Sequence, residues 1–315
     1  MKFKNVLPIV CLLVLSSCTT SLSKSLFCFD SLIKIDLNEG SSEDLNNLTD
    51  IFNKLDRLTD NYRGRGINNV YSINQTNEEI NIDPDLYNLL KKSIDFNNEI
   101  SSYFNPFCGS LSKKWKESLE NDQILNDEII DEELIKMNNT SLIFEENNIV
   151  KRNGEGEIDL GGITKGFALD LSYEYLTNNQ FKYYLINGGK SSLLLGEKKT
   201  KNGLFTIKID DEIINNKYLK LKNCFVSTSG TYTQGKEIGG INYSHIINPL
   251  DGSAINRHDA VIVISDEGYI GDGLSTAMML CTIDEIKELE NKCNVKVIVF
   301  ENKQIIYQNE DVEVY

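Results

Sequence analysis

Two aspartates, two adjacent glycines and a lysine fall within the stretch "EIDLGGITKGFALD", residues 157–170. Glu157 to Leu160 read as the end of a strand. From Ile163 the apolar side chains recur at Phe167, Leu171 and Tyr175, the spacing of one helical face. Gly161 and Gly162 then sit at a turn that opens a helix. Such a turn can bind an anion, because helix N-terminal amides point outward and no Cβ obstructs a close ligand. Lys165 would add a positive charge, although the same glycine pair also serves as a plain tight turn. Three further strings carry polar residues that core packing does not require. They are "VSTSGTY" (226–232), "NYSHIINPLDG" (242–252) and "GDGLSTAMML" (271–280).

In the last of these, Asp272 and Thr276 stand at i and i+4, so their oxygens share one helical face. Hard oxygen donors with a single carboxylate suit Mg²⁺ better than Zn²⁺. Asp272 also reads as the cap of a helix running from about Gly273 to Met279. His245 could carry a proton near neutral pH or could be structural. His258, the other histidine, has no motif around it. Ser229 lacks a G-x-S-x-G elbow, which argues against a serine hydrolase.

Amphipathic spacing at Leu45, Leu48, Ile51, Leu55 and Leu58 predicts a helix from Ser42 to Leu58, with Ser42 as its cap. Asp83 and Pro84 predict the start of a second helix. The polar segment between them reads as a loop, and the acidic run 117–134 as an exposed helical insertion. After Asn138 the texture changes to short strands. A hairpin turns at Asn147 and Asn148, two strands flank Gly188-Gly189, and "DAVIVIS" and "VKVIVF" are apolar enough to be central strands. Helices fall between those last two strands, one of them after Asp284. The expected fold is therefore α+β, a mixed β-rich core with packed helices. Its helical N-terminal portion covers about 31–138 and its β-rich portion about 139–315.

At 315 residues, 40% hydrophobic and 25% charged, the chain has the composition of a globular protein. A formal charge of -15 and a pI near 4.7 argue against an electrostatic nucleic-acid binder, which needs clustered Lys and Arg. Lys2 and Lys4 precede an apolar run from Val6 to Leu15 that is too short to span a bilayer but suits a signal peptide. The run ends in "LSSC", which matches a bacterial lipobox. Residues 1–17 are then a cleaved signal, Cys18 carries lipid, and 18–30 form a tether. This predicts anchoring to a bacterial membrane on its extracytoplasmic or periplasmic face, with no second span. Five of the seven cysteines remain, Cys28, Cys108, Cys224, Cys281 and Cys293. They are scattered without a C-x-x-C pair and read mainly as small buried side chains.

Taken in order, "IDLGGITKGFALD", "NGGKSS", "STSG", "YSHIINPLDG" and "GDGLSTA" resemble the FAD:protein FMN transferases, the ApbE-type flavin transferases. "LTDNYRGRGINNVYSIN" and "FNPFCGSLSKKW" resemble the family's N-terminal segments, so the likeness covers essentially the whole mature chain. The resemblance implies that FAD binds in a cleft between the helical and β-rich parts, with Mg²⁺ on its pyrophosphate. A Ser or Thr hydroxyl of an exported acceptor protein attacks the FMN phosphorus, and AMP leaves. Carried over by position, Asp272, Thr276 and the carbonyl of Thr164 would hold the metal. Gly161, Gly162 and Lys165 would lie near the flavin and phosphates, Asn74 near the adenine, and Ser229 and Gly230 along the site. His245 is the candidate for proton transfer, with Asp159 and Asp170 as alternatives that could instead hold the turn. "NGGK" stands where the family commonly has "NAGG", which leaves Lys190 unexplained. The competing expectations are an FAD pyrophosphatase on the same scaffold and a non-enzymatic FAD-binding lipoprotein.

Overall fold

A computed structural model describes residues 21–189, 191–232 and 235–315. The lipobox, Cys18 and Lys190 lie outside the described residues. The chain opens with a hairpin, β1 (Leu22–Cys28) and β2 (Ser31–Leu37), then α1 (Ser42–Leu58), the short α2 (Val70–Asn74), β3 (Glu79–Asn81) and α3 (Pro84–Asp95). A π-helical turn over Phe96–Ile100 extends α3. There follow α4 (Gly109–Glu120), α5 (Asp127–Asn138), β4 (Ser141–Glu145), β5 (Ile149–Asn153) and α6 (Thr164–Asn178). The strands β6 (Tyr184–Gly188), β7 (Ser192–Leu195), β8 (Phe205–Lys208), β9 (Tyr218–Leu221) and β10 (Cys224–Gly230) come next. The last part holds β11 (Lys236–Ile238), β12 (Ile241–Tyr243), β13 (Ala260–Ser265), α7 (Gly268–Met278), α8 (Ile283–Cys293), β14 (Lys296–Glu301) and β15 (Gln304–Gln308).

The main sheet has eight strands in the order β1-β2-β6-β7-β10-β13-β14-β15, and every pairing in it is antiparallel. One face packs against the helices through a large apolar core that includes Phe52, Phe96 and Phe167. Toward β13 and β14 the other face is covered by the β8–β9 hairpin through a smaller cluster around Phe205, Ile262 and Phe300. This is the expected α+β class.

The division by sequence fails at the N-terminus. Residues 22–28, expected as tether, form an edge strand, and β2 lies inside the portion expected to be helical. The hairpin gives little sign of itself because its turn is Phe29-Asp30, both at positive φ (53° and 52°), where Asn-Gly is the usual signature. Phe29 N–H donates to Asp56 Oδ1 at 2.7 Å, which secures the turn from α1.

The α1 helix has the expected bounds, but Ser41 is its cap, in a capping box with Asp44. Asp83 caps α3 with Pro84 in the first turn, as expected. The polar segment after α1 contains the short α2 rather than only loop. The acidic run is not simply an exposed insertion. It crosses the end of α4 and most of α5, and Leu125 and Ile130 pack with Trp115, which stacks on Tyr243. Glu133 is buried there as well, paired with Lys136 and accepting from Ser110. All five described cysteines are free.

Candidate active site

The site is built on the crossing of α6 and α7. A Cβ on Gly166 would lie 2.1 Å from the Gly268 carbonyl oxygen, and one on Gly268 would lie 2.3 Å from that of Gly166, so only glycine permits this approach. Each helix also caps the other. Asp272 Oδ2 accepts from Gly166 N–H at 2.6 Å. Asp170 accepts from Gly268 N–H at 2.5 Å and Tyr269 N–H at 2.9 Å. Asp272 therefore does not cap its own helix. That helix begins at Gly268 rather than near Gly273, because its first amides are satisfied from α6 and not by a local side chain.

Asp272 is buried, and its Oδ1 accepts two more hydrogen bonds, from Ser192 on β7 at 2.7 Å and Ser227 on β10 at 2.6 Å. Burial raises its pKa, opposed by Lys165 and by the three donors. One helical turn on, Thr276 Oγ1 donates to the Asp272 carbonyl at 3.1 Å and lies 3.5 Å from Ser229 Oγ. Ser229 and Ser275 hydroxyls are 2.9 Å apart. Strand period two thus aligns Ser227 and Ser229 with successive positions on α7.

These groups open into a cleft of about 1490 Å³. The helical part contributes Tyr62, Arg63, Tyr103 and Phe104, and the β-rich part Asn187, Ser192, Thr228 and His245. Gly161, Gly162, Thr164, Lys165, Ser229, Gly230, Asp272 and Thr276 all line it, as does Asp159. Lys165 donates to Ser191 Oγ and lies close enough to lower the pKa of His245, after the larger effect of burial. His245 is nevertheless open to solvent at the cleft wall. At Gly162 a Cβ would stand 3.4 Å from both Thr276 Oγ1 and the Phe104 ring, directly on the cleft surface. A methyl group there would make only ordinary contacts and Gly162 does not adopt positive φ, so what the bare position provides is open cleft surface.

The turn offers fewer open amides than the sequence suggested. Gly161 N–H donates to Asp159 Oδ1 at 2.8 Å, Gly166 N–H is held by Asp272, and Ile163 and Thr164 N–H both donate to the Leu160 carbonyl. Glu157 makes only an isolated bridge, to Cys108, in place of the expected strand end.

Two expected site residues lie elsewhere. Asn74 is buried outside the cleft lining, where its side-chain amide donates to the Ile158 carbonyl and accepts from Ile158 N–H at 3.0 and 2.8 Å. It clamps the segment leading into the turn. Asp170 is likewise absent from the lining. Its role is the cap on α7, and burial raises its pKa to about 7. Ser192 and Ser227 were not singled out from sequence, although both sit in the hydroxyl-rich strings "NGGKSS" and "VSTSGTY". The aromatic ring of Tyr232 on the cleft wall also escaped notice.

The donor set fits a hard cation. Among the described residues no three His, Cys, Asp or Glu side chains converge, so a thiolate or imidazole centre has no basis here. A carboxylate offers about four lone-pair sites. Asp272 uses three, which leaves one on Oδ2, and Thr276 stands one helical turn further along α7. One carboxylate and neutral oxygens are the protein ligands Mg²⁺ takes when substrate phosphates and water complete its shell.

An antiparallel sheet covered by crossed helices, with Asp272 buried at a large cleft, defines an α+β fold. The chain belongs to the ApbE family, whose sequence profile matches residues 29–299. It is 24% identical over 231 residues to the FAD:protein FMN transferase of Rhodobacter capsulatus, which covers 70% of this chain and 43% of that protein. It is 24% identical over 257 residues to the protein of the same name from Buchnera aphidicola subsp. Schizaphis graminum, covering 79% and 76% respectively. The crystal structure of the ApbE protein of Thermotoga maritima superposes with a TM-score of 0.79 at 22% identity, over 92% of this chain and 97% of that one.

Proposed function

We propose that this chain is an FAD:protein FMN transferase that moves FMN from FAD onto a Ser or Thr hydroxyl of an exported acceptor protein. The observation that carries the reading is the convergence of Asp272, Thr276, Lys165, Gly162 and His245 on one cleft in a member of the ApbE family. At about 1490 Å³ the cleft exceeds the ~300–1,000 Å³ of ordinary small-ligand pockets, so it has room for a dinucleotide and an incoming polypeptide segment.

Asp272, Thr276 and the Thr164 carbonyl would hold Mg²⁺. When bound, the ion neutralises charge on the pyrophosphate oxygens. The chain's own groups do the remaining work. Ser192, Ser227 and Gly166 N–H fix the Asp272 carboxylate, while bare Gly162 lets the phosphates approach the face of α7. The Lys165 ammonium faces negative charge developing in transfer. His245, its pKa lowered by burial and Lys165, is neutral at pH 7 and accepts the proton of the acceptor hydroxyl. The acceptor oxygen bonds to the FMN phosphorus, the phosphorus–oxygen bond to AMP breaks, and AMP leaves with the bridging oxygen. Cleavage of the signal before Cys18 and lipidation of that thiol would keep the protein on the extracytoplasmic face of a membrane.

The test follows AMP, free FMN and acceptor mass after incubation with FAD and Mg²⁺. The expected result is an acceptor heavier by one FMN, with AMP in equal amount. AMP and FMN without labelled acceptor would replace this reading with FAD pyrophosphatase, and intact FAD throughout would leave only binding. His245→Ala should slow transfer about 10²–10⁴-fold, the usual contribution of general acid–base catalysis, while changing FAD affinity little. Equal losses in both would overturn its role as base.

A further inference from the structure

Lys182, Lys198, Lys199, Lys201 and Lys222 are exposed at one corner of a chain whose net charge is -15. The local fold gathers them. Glu197 N–H donates to the Lys182 carbonyl at 2.7 Å, and Lys198 N–H to that of Gly203 at 2.8 Å. Lys199 donates to the Asn38 carbonyl at 2.6 Å and lies over the Tyr183 ring. A shallow depression of about 470 Å³ is lined by Lys198, Lys199, Lys201 and Lys222. Carboxylates share the corner, among them Glu39, Glu197 and Asp36, the last paired with Lys34. Glu39 accepts from Tyr183 N–H, and Glu197 pairs with Lys222 at 3.6 Å. Positive charge remains in excess.

The N-terminus enters the fold at the same corner. Leu22 pairs with Leu37, the last residue of β2, and the next residue, Asn38, donates to the Tyr183 carbonyl and accepts from Lys199. Cys18 precedes Leu22 by four residues. Even fully extended, that length reaches only about 14 Å.

We propose that this lysine corner seats on anionic phospholipid headgroups and orients the protein on its membrane. The inference rests on the lipid-anchor reading above. An acyl chain on Cys18 would hold the corner within reach of the headgroups, and clustered lysines add attraction to an anionic surface. The Asp272 end of the cleft lies at the far end of the same two strands, although its lining runs back along β6 as far as Leu185. β6 runs from Tyr184 beside the lysines to Gly188 by the cleft, and β7 returns from Ser192 toward Glu197. At ~3.3 Å per residue the two ends are about 15 Å apart. Seated this way, the protein turns the Asp272 end of its cleft away from the bilayer, toward acceptor domains arriving from the aqueous side.

The test uses the full-length lipidated protein on vesicles of equal parts phosphatidylglycerol and phosphatidylcholine, on phosphatidylcholine alone, and in detergent. Flotation reports the anchor, and amine acylation read lysine by lysine reports the seating, with exposed Lys91 and Lys287 as references. The expected result is about fivefold slower acylation of Lys182 and Lys222 on the anionic vesicles only, the scale set by one lysine–surface attraction. The double variant Lys198→Glu, Lys201→Glu should lose that protection and keep its activity on FAD and acceptor in detergent. Flotation with unprotected lysines overturns the seating while the anchor stands. Equal protection on phosphatidylcholine overturns recognition of anionic lipid. A wild-type chain that does not float overturns the anchor and the seating together.

Discussion

Gly166 and Asp170 on α6 answer Gly268 and Asp272 on α7. Each glycine lets the opposite backbone close in, and each aspartate, four residues later, accepts from first-turn amides of the other helix. The surroundings then diverge. Asp170 takes backbone amides, with Glu267 and Lys92 as its charged neighbours. Asp272 takes one amide and two serine hydroxyls from neighbouring strands, has Lys165 close by, and opens into the cleft. Residue type and helix geometry are the same at both ends. What separates a cap from a candidate ligand is the sheet beneath it, which supplies hydroxyls and a cavity at one end only.

The sharpest separation should come from Asp272→Asn, which keeps an acceptor for Gly166 N–H but removes the charge. Turnover should fall about 10²–10³-fold, the usual scale for one electrostatic group at a reacting centre. If Asp170→Asn lowered turnover equally in a folded protein, the distinction between the two carboxylates would collapse. Gly166→Ala comes next, because a methyl group 2.1 Å from a carbonyl oxygen must push the helices apart. Overpacking of this kind costs about 1–3 kcal/mol, and denaturant unfolding should show a loss of that size together with reduced turnover. An unchanged midpoint would mean that the crossing is not closely constrained.

Asp170→Asn should have the smallest effect, a loss of about 1 kcal/mol for a weakened pair of hydrogen bonds from the first amides of α7. It should also change how stability depends on pH. The folded Asp170 holds its proton up to about 7, above its ordinary value near 3.8. The folded state therefore binds more protons than the unfolded state between those values. Its contribution is fully present below the unfolded pKa and is lost as pH rises toward 7, with a slope of at most ~1.4 kcal/mol per pH unit. Unfolding followed from pH 4.5 to 7.5 should show wild type losing ground to the asparagine variant as pH rises. Parallel curves would remove Asp170 as the titrating group.

What the sequence made legible was local. The i, i+4 pair Asp272 and Thr276, the glycine turn before α6 and the hydroxyl strings are spacing patterns, and all of them reach the cleft. The leucine periodicity of α1 and the Asp83-Pro84 start of α3 are likewise properties of one segment. The misses required two segments at once. Asn74 carries no local mark that distinguishes a backbone clamp on Ile158 from a ligand contact, and the start of α7 was misplaced because its cap is Asp170, far away in sequence. Ser192 and Ser227 become meaningful only when β7 and β10 lie side by side under α7. The β1–β2 hairpin escaped because Phe29-Asp30 performs a turn that its residue types do not advertise.

The hydrogen bonds that converge on the Asp272 carboxylate come from positions 106, 80 and 45 residues away along the chain. Closing such long loops belongs to the slow stages of folding, since the entropy of closure must be spent before the contact repays it. A nascent or half-folded chain has the aspartate but no pocket around it, and cannot sequester a nucleotide or a cation prematurely. Acquisition of ligand affinity is thus a clock for maturation: its onset in a refolding experiment marks the moment at which sheet and helices have both docked.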